Sequence, residues 1–79
     1  MNIIYEKKFR KEGNDCIINS ILTLIEIFDV YCLFQHMRYY GSWVDDKVHK
    51  SEWEFSNKKE ALDEFNNIAK ELAAYETLD

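Results

Sequence analysis

The sequence predicts an α+β fold, in which a small antiparallel sheet packs with two helices. Two stretches, about 15–28 and 57–76, repeat apolar residues at the spacing of a helix. The residues between them, 30–55, read as two strands of a hairpin. Preceded by an N-terminal strand, this order implies helices that cover one face of the sheet. We expect residues 1–79 to form a single compact domain.

The C-terminal helix has the clearest signal in the chain. Trp53 and Phe55 alternate with polar residues, so a strand is expected to lead directly into the helix. Ser56 or Asn57 can cap the free N–H groups of its first turn, and with Asn57 as the cap Glu60 completes a capping box. The apolar positions recur at spacings of three and four: Ala61, Leu62, Phe65, Ile68, Ala69, Leu72 and Tyr75.

The first predicted helix, about 15–28, rests on the spacing of its apolar residues, whereas the conformational propensities of those residues favour a strand. Polar residues such as Asn19 and Glu26 fall on one side at helical pitch, and an arc of roughly 160° opposite them holds Ile17, Ile18, Ile21, Leu22, Leu24, Ile25 and Phe28. Isoleucine and threonine nevertheless favour strands. The alternative therefore makes residues 16–28 a strand, which gives a four-stranded meander with one C-terminal helix.

The remaining segments are predicted to be strands. Residues 1–11 have one apolar face and several lysines, as solvent-exposed edge strands do. Residues 30–40 are apolar on both faces and end at Gly41-Ser42. Asp45-Asp46 marks a turn, and a strand from about Val48 to Phe55 returns along the hairpin.

Composition excludes some functions and compartments. The net charge of −5 disfavours direct binding to nucleic acid, because phosphate contacts need a basic surface. Two cysteines, Cys16 and Cys32, do not make a secreted disulfide framework, and no signal peptide is visible at the start. The most apolar stretch contains charged residues and is a poor membrane span. We therefore expect a cytoplasmic protein that does not act at a membrane.

Few residues suggest bond-making chemistry. If Cys16 opens a helix, the helix dipole favours its thiolate, and a thiol enzyme with His36 or His49 as the base is one alternative. The cysteine and histidine spacings match no zinc-binding pattern, and the isolated glycines form no phosphate-binding loop. We expect no catalytic residue, no cofactor and no metal.

Aromatic residues are in surplus for so short a chain. Tyrosine and tryptophan are enriched at interface hot spots, and a small core cannot easily hide all of those near the predicted hairpin. We therefore expect Tyr39, Tyr40 and Trp43 to belong to a contact surface for another protein. A structural homodimer that buries these rings is a second alternative.

Acidic residues give the second indication of a binding surface. Residues 41–79 carry ten acids against five bases. In size and composition the chain resembles small acidic phage-encoded inhibitors of host machinery, including anti-CRISPR and DNA-mimic proteins. That resemblance implies a non-enzymatic protein that inhibits or modulates a partner by occupying its basic surface, which is a nucleic-acid-binding surface in the mimics. The carboxylates it would direct at this surface are Asp45, Asp46, Glu52, Glu60, Asp63, Glu64 and Glu71.

Overall fold

The computed structural model describes residues 2–13, 15–41, 47–72 and 76–77. Within these residues the chain forms four long strands, then a helix, then a strand of two residues. In chain order the elements are β1 (Asn2–Glu12), β2 (Cys16–Ile27), β3 (Val30–Gly41), β4 (Lys47–Phe55), α1 (Lys58–Glu71) and β5 (Glu76–Thr77).

The strands form one antiparallel sheet in the order β4-β3-β2-β1-β5. Each long strand pairs with its neighbour in sequence, and β2 pairs along its length with both β1 and β3. The short β5 pairs with Phe9 and Arg10 at the far edge. The alternative prediction, a four-stranded meander with a C-terminal helix, is therefore confirmed, and the preferred layout with two helices is wrong.

The error lies in β2, where the sequence favoured a helix over about 15–28. Leu22 and Leu24 point to one side of the sheet, and Ile21 and Ile25 point to the other. Because both sides of this central strand are apolar, the alternation that identifies a strand is hidden, and a nearly continuous apolar run also fits a helical arc. The β-branched isoleucines favour the extended chain, and backbone pairing on both sides adds to that preference.

The predicted start of α1 is confirmed, whereas its predicted end is wrong. The Asn57 side chain accepts hydrogen bonds from the backbone N–H groups of Lys59 at 2.8 Å and Glu60 at 3.3 Å. Helical structure stops at Glu71, with Leu72 as the C-cap, rather than near residue 76. Glu76 instead lies in β5, because the edge of β1 offers it a strand partner. Periodicity within the helix contains no sign of that pairing.

The core lies between α1 and one side of the sheet, which we call the covered face. It is made by the even-numbered residues of β2 and their cross-strand neighbours. The buried residues that pack together there are Phe9, Leu22, Leu24, Leu33, Ala61, Phe65, Ile68 and Leu72. Tyr31, Trp53 and Phe55 pack against the margin of this cluster. Most of the apolar helix positions recognised in the sequence therefore face the sheet as expected.

The turn between β2 and β3 is a two-residue hairpin, since Ile27 pairs directly with Val30. Phe28 takes a positive φ of 55°, a conformation that bulky residues rarely adopt, and its side chain is 92% exposed. The right-handed twist of paired strands favours such turns, which usually carry glycine or asparagine. A phenylalanine here is therefore strained without any compensating burial among the described residues.

Candidate functional site

The most distinctive surface is the side of the sheet away from α1, which we call the open face. It consists of the odd-numbered residues of β2 from Ile17 to Ile27 and their cross-strand neighbours in β1, β3 and β4. Among the described residues, no helix packs on this face. The exposed apolar side chains on it are Ile3, Ile21, Ile27, Val30 and Val48. A single-layer sheet with apolar residues on its free side is suited to contact with another surface.

Charges on the open face are arranged in rows across the strands. One row runs across all four strands as Lys8, Ile21, His36 and Lys50, and the next runs as Glu6, Thr23, Phe34 and Glu52. The Thr23 hydroxyl donates a hydrogen bond to the Glu6 carboxylate at 3.1 Å, which shows that neighbours in the second row are in contact. Both β1 and β4 therefore carry a lysine in one row and a glutamate in the adjacent row.

A second candidate surface is an acidic stripe on α1, formed by Glu60, Asp63, Glu64 and Glu71. At 100° per residue these carboxylates lie within an arc of about 100°, beside the buried side of the helix. Like charges four residues apart destabilise an isolated helix by about 0.2–0.5 kcal/mol, and an acid in the last turn opposes the dipole. Glu60, in the first turn, is favoured by the same dipole, so the stripe combines charges that stabilise the helix with charges that destabilise it.

The predicted acidic site is only partly brought together. The four carboxylates of the acidic stripe share one helix, but Glu52 lies on the open face, on the other side of the sheet. Trp43, Asp45 and Asp46 lie outside the described residues. The sequence could not separate Glu52 from the stripe, because the side to which a strand residue points depends on the register of the whole sheet.

The two predicted tyrosines lie near the end of β3 and point to opposite sides of the sheet. The Tyr39 ring meets the His49 ring edge-on, at a centroid distance of 5.4 Å. The Tyr40 hydroxyl accepts a hydrogen bond from the Asn19 side chain at 2.8 Å, and the Arg38 guanidinium lies 5.7 Å from its ring centre. Both rings are half-buried, so they combine contacts within the sheet with some free surface.

Cys16 begins a strand, and the helix-dipole argument for a reactive thiolate therefore does not apply. Cys16 pairs with Gly41, whereas His36 lies five residues back along β3 and on the other face, roughly 16 Å away at strand spacing. His49 pairs with Met37 on β3, a similar distance from the thiol. Neither imidazole is within reach of this sulfur as a general base, since that role needs about 3 Å.

Cys32, Glu52 and Glu54 form a cluster that the sequence did not predict. Their ligand atoms lie within 4.8 Å of one another, because β4 pairs Glu54 directly with Cys32. Burial is the main cause that raises the pKa of the Cys32 thiol, and the Glu54 and Glu52 carboxylates add to it. The thiol is therefore protonated near neutral pH, whereas zinc takes the thiolate. The cluster supplies three candidate ligands, of which the two carboxylates are exposed.

Comparisons with known proteins identified no relative. No protein-family model matches the chain, and no curated protein or solved structure is detectably similar to it. Within the described residues, no helix has both the length and the apolar character needed to cross a membrane.

Proposed function

We propose that the protein is a non-enzymatic binding protein that inhibits or modulates a partner protein by occupying a basic surface on it. The observation that carries this proposal is the acidic stripe of α1. Its four carboxylates occupy one side of a single helix, so they present a line of negative charge with a fixed spacing.

Rigid placement distinguishes this stripe from a flexible acidic segment. Ala61, Phe65 and Ile68 hold the helix against the sheet, and the Asn57 cap fixes its first turn. Because the backbone that carries the carboxylates is already ordered, binding to a basic surface loses less conformational entropy than binding by a disordered chain would. Charge complementarity of this kind accelerates association and selects among partners.

The proposal agrees with the resemblance to small acidic phage-encoded inhibitors. A partner that uses its basic surface for nucleic acid would be inhibited when the stripe covers that surface. Enzymatic action receives no support from Cys16, which is remote from both His36 and His49 by the strand register.

The test is capture of the partner with a charge-reversed helix. The variant Asp63→Lys/Glu64→Lys should lose at least about tenfold in affinity for the partner, because like charges across an interface repel. Its stability should change by less than about 0.5 kcal/mol, as is usual for surface substitutions. Immobilised wild-type and variant chains would be incubated with lysate of the native host, and captured proteins would be identified by mass spectrometry.

A matched control separates the stripe from overall charge. Asp15→Lys/Asp29→Lys changes the net charge by the same amount but alters residues in two turns of the sheet. The control should retain every protein that the Asp63→Lys/Glu64→Lys variant loses. Equal capture by both variants would contradict a binding role for the acidic stripe.

A further inference from the structure

We infer that the open face is a dimer interface, which binds the open face of a second copy of this chain about a two-fold axis. This inference goes beyond the proposed function, since the acidic stripe lies on the other side of the molecule. The reason is that the charged rows of the open face are self-complementary: the lysine row of one copy can face the glutamate row of another.

The complementarity follows from the strand register. Consider a two-fold axis that lies in the plane between two facing sheets and crosses the strands between the two rows. Such an axis reverses the direction along each strand but keeps β4 opposite β4 and β1 opposite β1. The lysine row of one copy then faces the glutamate row of the other.

The outer strands supply the ion pairs of this arrangement. On β4, Lys50 of each copy faces Glu52 of the other, and on β1 the same relation joins Lys8 to Glu6. Packed sheets cross at about 30°, so these edge pairs are displaced sideways by a few ångströms. Lysine and glutamate side chains are long enough to span that displacement.

The inner strands supply apolar contact. Ile21 is 36% exposed at the centre of the lysine row, and Phe34 is half-buried at the centre of the glutamate row. In the two-fold arrangement His36 faces the Phe34 ring of the other copy, and Ile21 faces the Thr23 methyl group. Dimerisation would remove these exposed apolar groups from water, which is its main driving force.

The area available is sufficient for a dimer. Four strands spaced at about 4.8 Å, with about nine residues each at 3.3 Å, present roughly 600 Å² per copy. Two copies would bury about 1,200 Å², at the lower end of the range for stable interfaces. A nucleic-acid occupant is disfavoured because the acids on this face, Glu6, Glu12, Glu52 and Glu54, balance its four basic side chains and leave no net positive charge for phosphate.

The test uses charge reversals on β4 and sedimentation equilibrium. The wild-type chain should sediment with twice the 9.5 kDa mass of one copy. Lys50→Glu and Glu52→Lys should each weaken self-association by at least about tenfold, because each substitution places like charges opposite each other at two symmetric positions. The double variant Lys50→Glu/Glu52→Lys should dimerise like the wild type, since the exchange preserves every pair.

Mixing the two single variants gives the sharpest result. In a heterodimer of Lys50→Glu with Glu52→Lys, both β4 contacts again join opposite charges, so an equimolar mixture should dimerise although each variant alone does not. Circular dichroism of each variant would confirm that it remains folded. A general loss of stability in the two variants would not produce restored association on mixing.

Three results would overturn the inference. The first is a wild-type chain that stays at 9.5 kDa at several hundred micromolar, which would leave the open face to a different partner. The second is a wild-type dimer that neither single variant weakens, which would place the interface elsewhere. The third is failure of the mixture and of the double variant to restore association. None of these measurements involves the acidic stripe or its partner, so the two proposals fail independently.

Discussion

The covered face and the open face are built from alternate residues of the same strands, yet they have different chemical characters. On the covered face, α1 packs over an apolar core that includes Phe9, Leu22 and Leu33, and polar residues lie around that core. The open face mixes isoleucines with ordered rows of lysine and glutamate. Adjacent residues of one strand share the same backbone pairing. The difference in burial between the two faces therefore reports what packing of α1 contributes. Within the described residues, it also shows which side of the sheet carries no helix.

The largest expected difference between the faces is in how much the free energy of unfolding falls when a side chain is truncated. Leu22→Ala, on the covered face, should lower the free energy of unfolding by about 2–5 kcal/mol, because a fully buried leucine leaves a cavity. Ile21→Ala, on the open face, should cost about 1 kcal/mol or less in the dilute monomer. Urea unfolding at low protein concentration measures both.

The adjacent positions of Leu22 and Ile21 make them controls for each other, since both substitutions place alanine in the same strand. Equal losses in dilute solution would mean that the open face is as well packed as the covered face. A loss for Ile21→Ala that grows with protein concentration would instead agree with the proposed dimer.

A polar residue within the covered face gives a smaller effect of opposite sign. The Ser20 side chain is fully buried, and its hydroxyl has no hydrogen-bond partner among the described residues. Removing a buried unsatisfied hydroxyl should stabilise the protein, so we expect Ser20→Ala to raise the free energy of unfolding by about 1–2 kcal/mol. Thermal or urea unfolding would measure the gain, and a loss of stability would show that the hydroxyl is satisfied in solution.

The smallest expected effect is on the pH dependence of stability, and it concerns Cys32. This residue is 6% exposed although it belongs to the open face. Its raised pKa means that the unfolded chain releases the thiol proton first as pH increases. Stability from this group is therefore complete below the ordinary thiol pKa of about 8.5 and declines above it. Urea unfolding between neutral and alkaline pH should show a steeper decline for the wild type than for Cys32→Ala.

Cys16→Ala provides the matched control for that measurement, because Cys16 is half-buried in the same sheet. A change in the decline that appears in Cys32→Ala but not in Cys16→Ala would be specific to the Cys32 thiol. If Cys32→Ala and the wild type decline in parallel, the Cys32 thiol is not responsible, and this part of the open face is more hydrated than its burial indicates.

Local signals explain which elements could be predicted from the sequence. The strands β1, β3 and β4 and the start of α1 each have a pattern that depends on neighbouring residues alone, such as the Asn57 cap. The acids of the predicted site that share this helix could be placed together because the helix has a regular period; they are Glu60, Asp63, Glu64 and Glu71.

The sequence by itself determined the composition of each element: which residues could cap α1, which side of that helix is apolar, and how many acids it carries. Only the tertiary structure decided that β2 is a strand and not a helix. Its apolar residues lie on both sides, so their spacing fits a helix as well as a strand until β1 and β3 pair with it. Pairing between distant strands also brought Glu54 beside Cys32, joined Glu76 to the edge of β1, and aligned the rows of lysine and glutamate. Contacts of this kind depend on register, and register is a property of the assembled sheet rather than of any one segment.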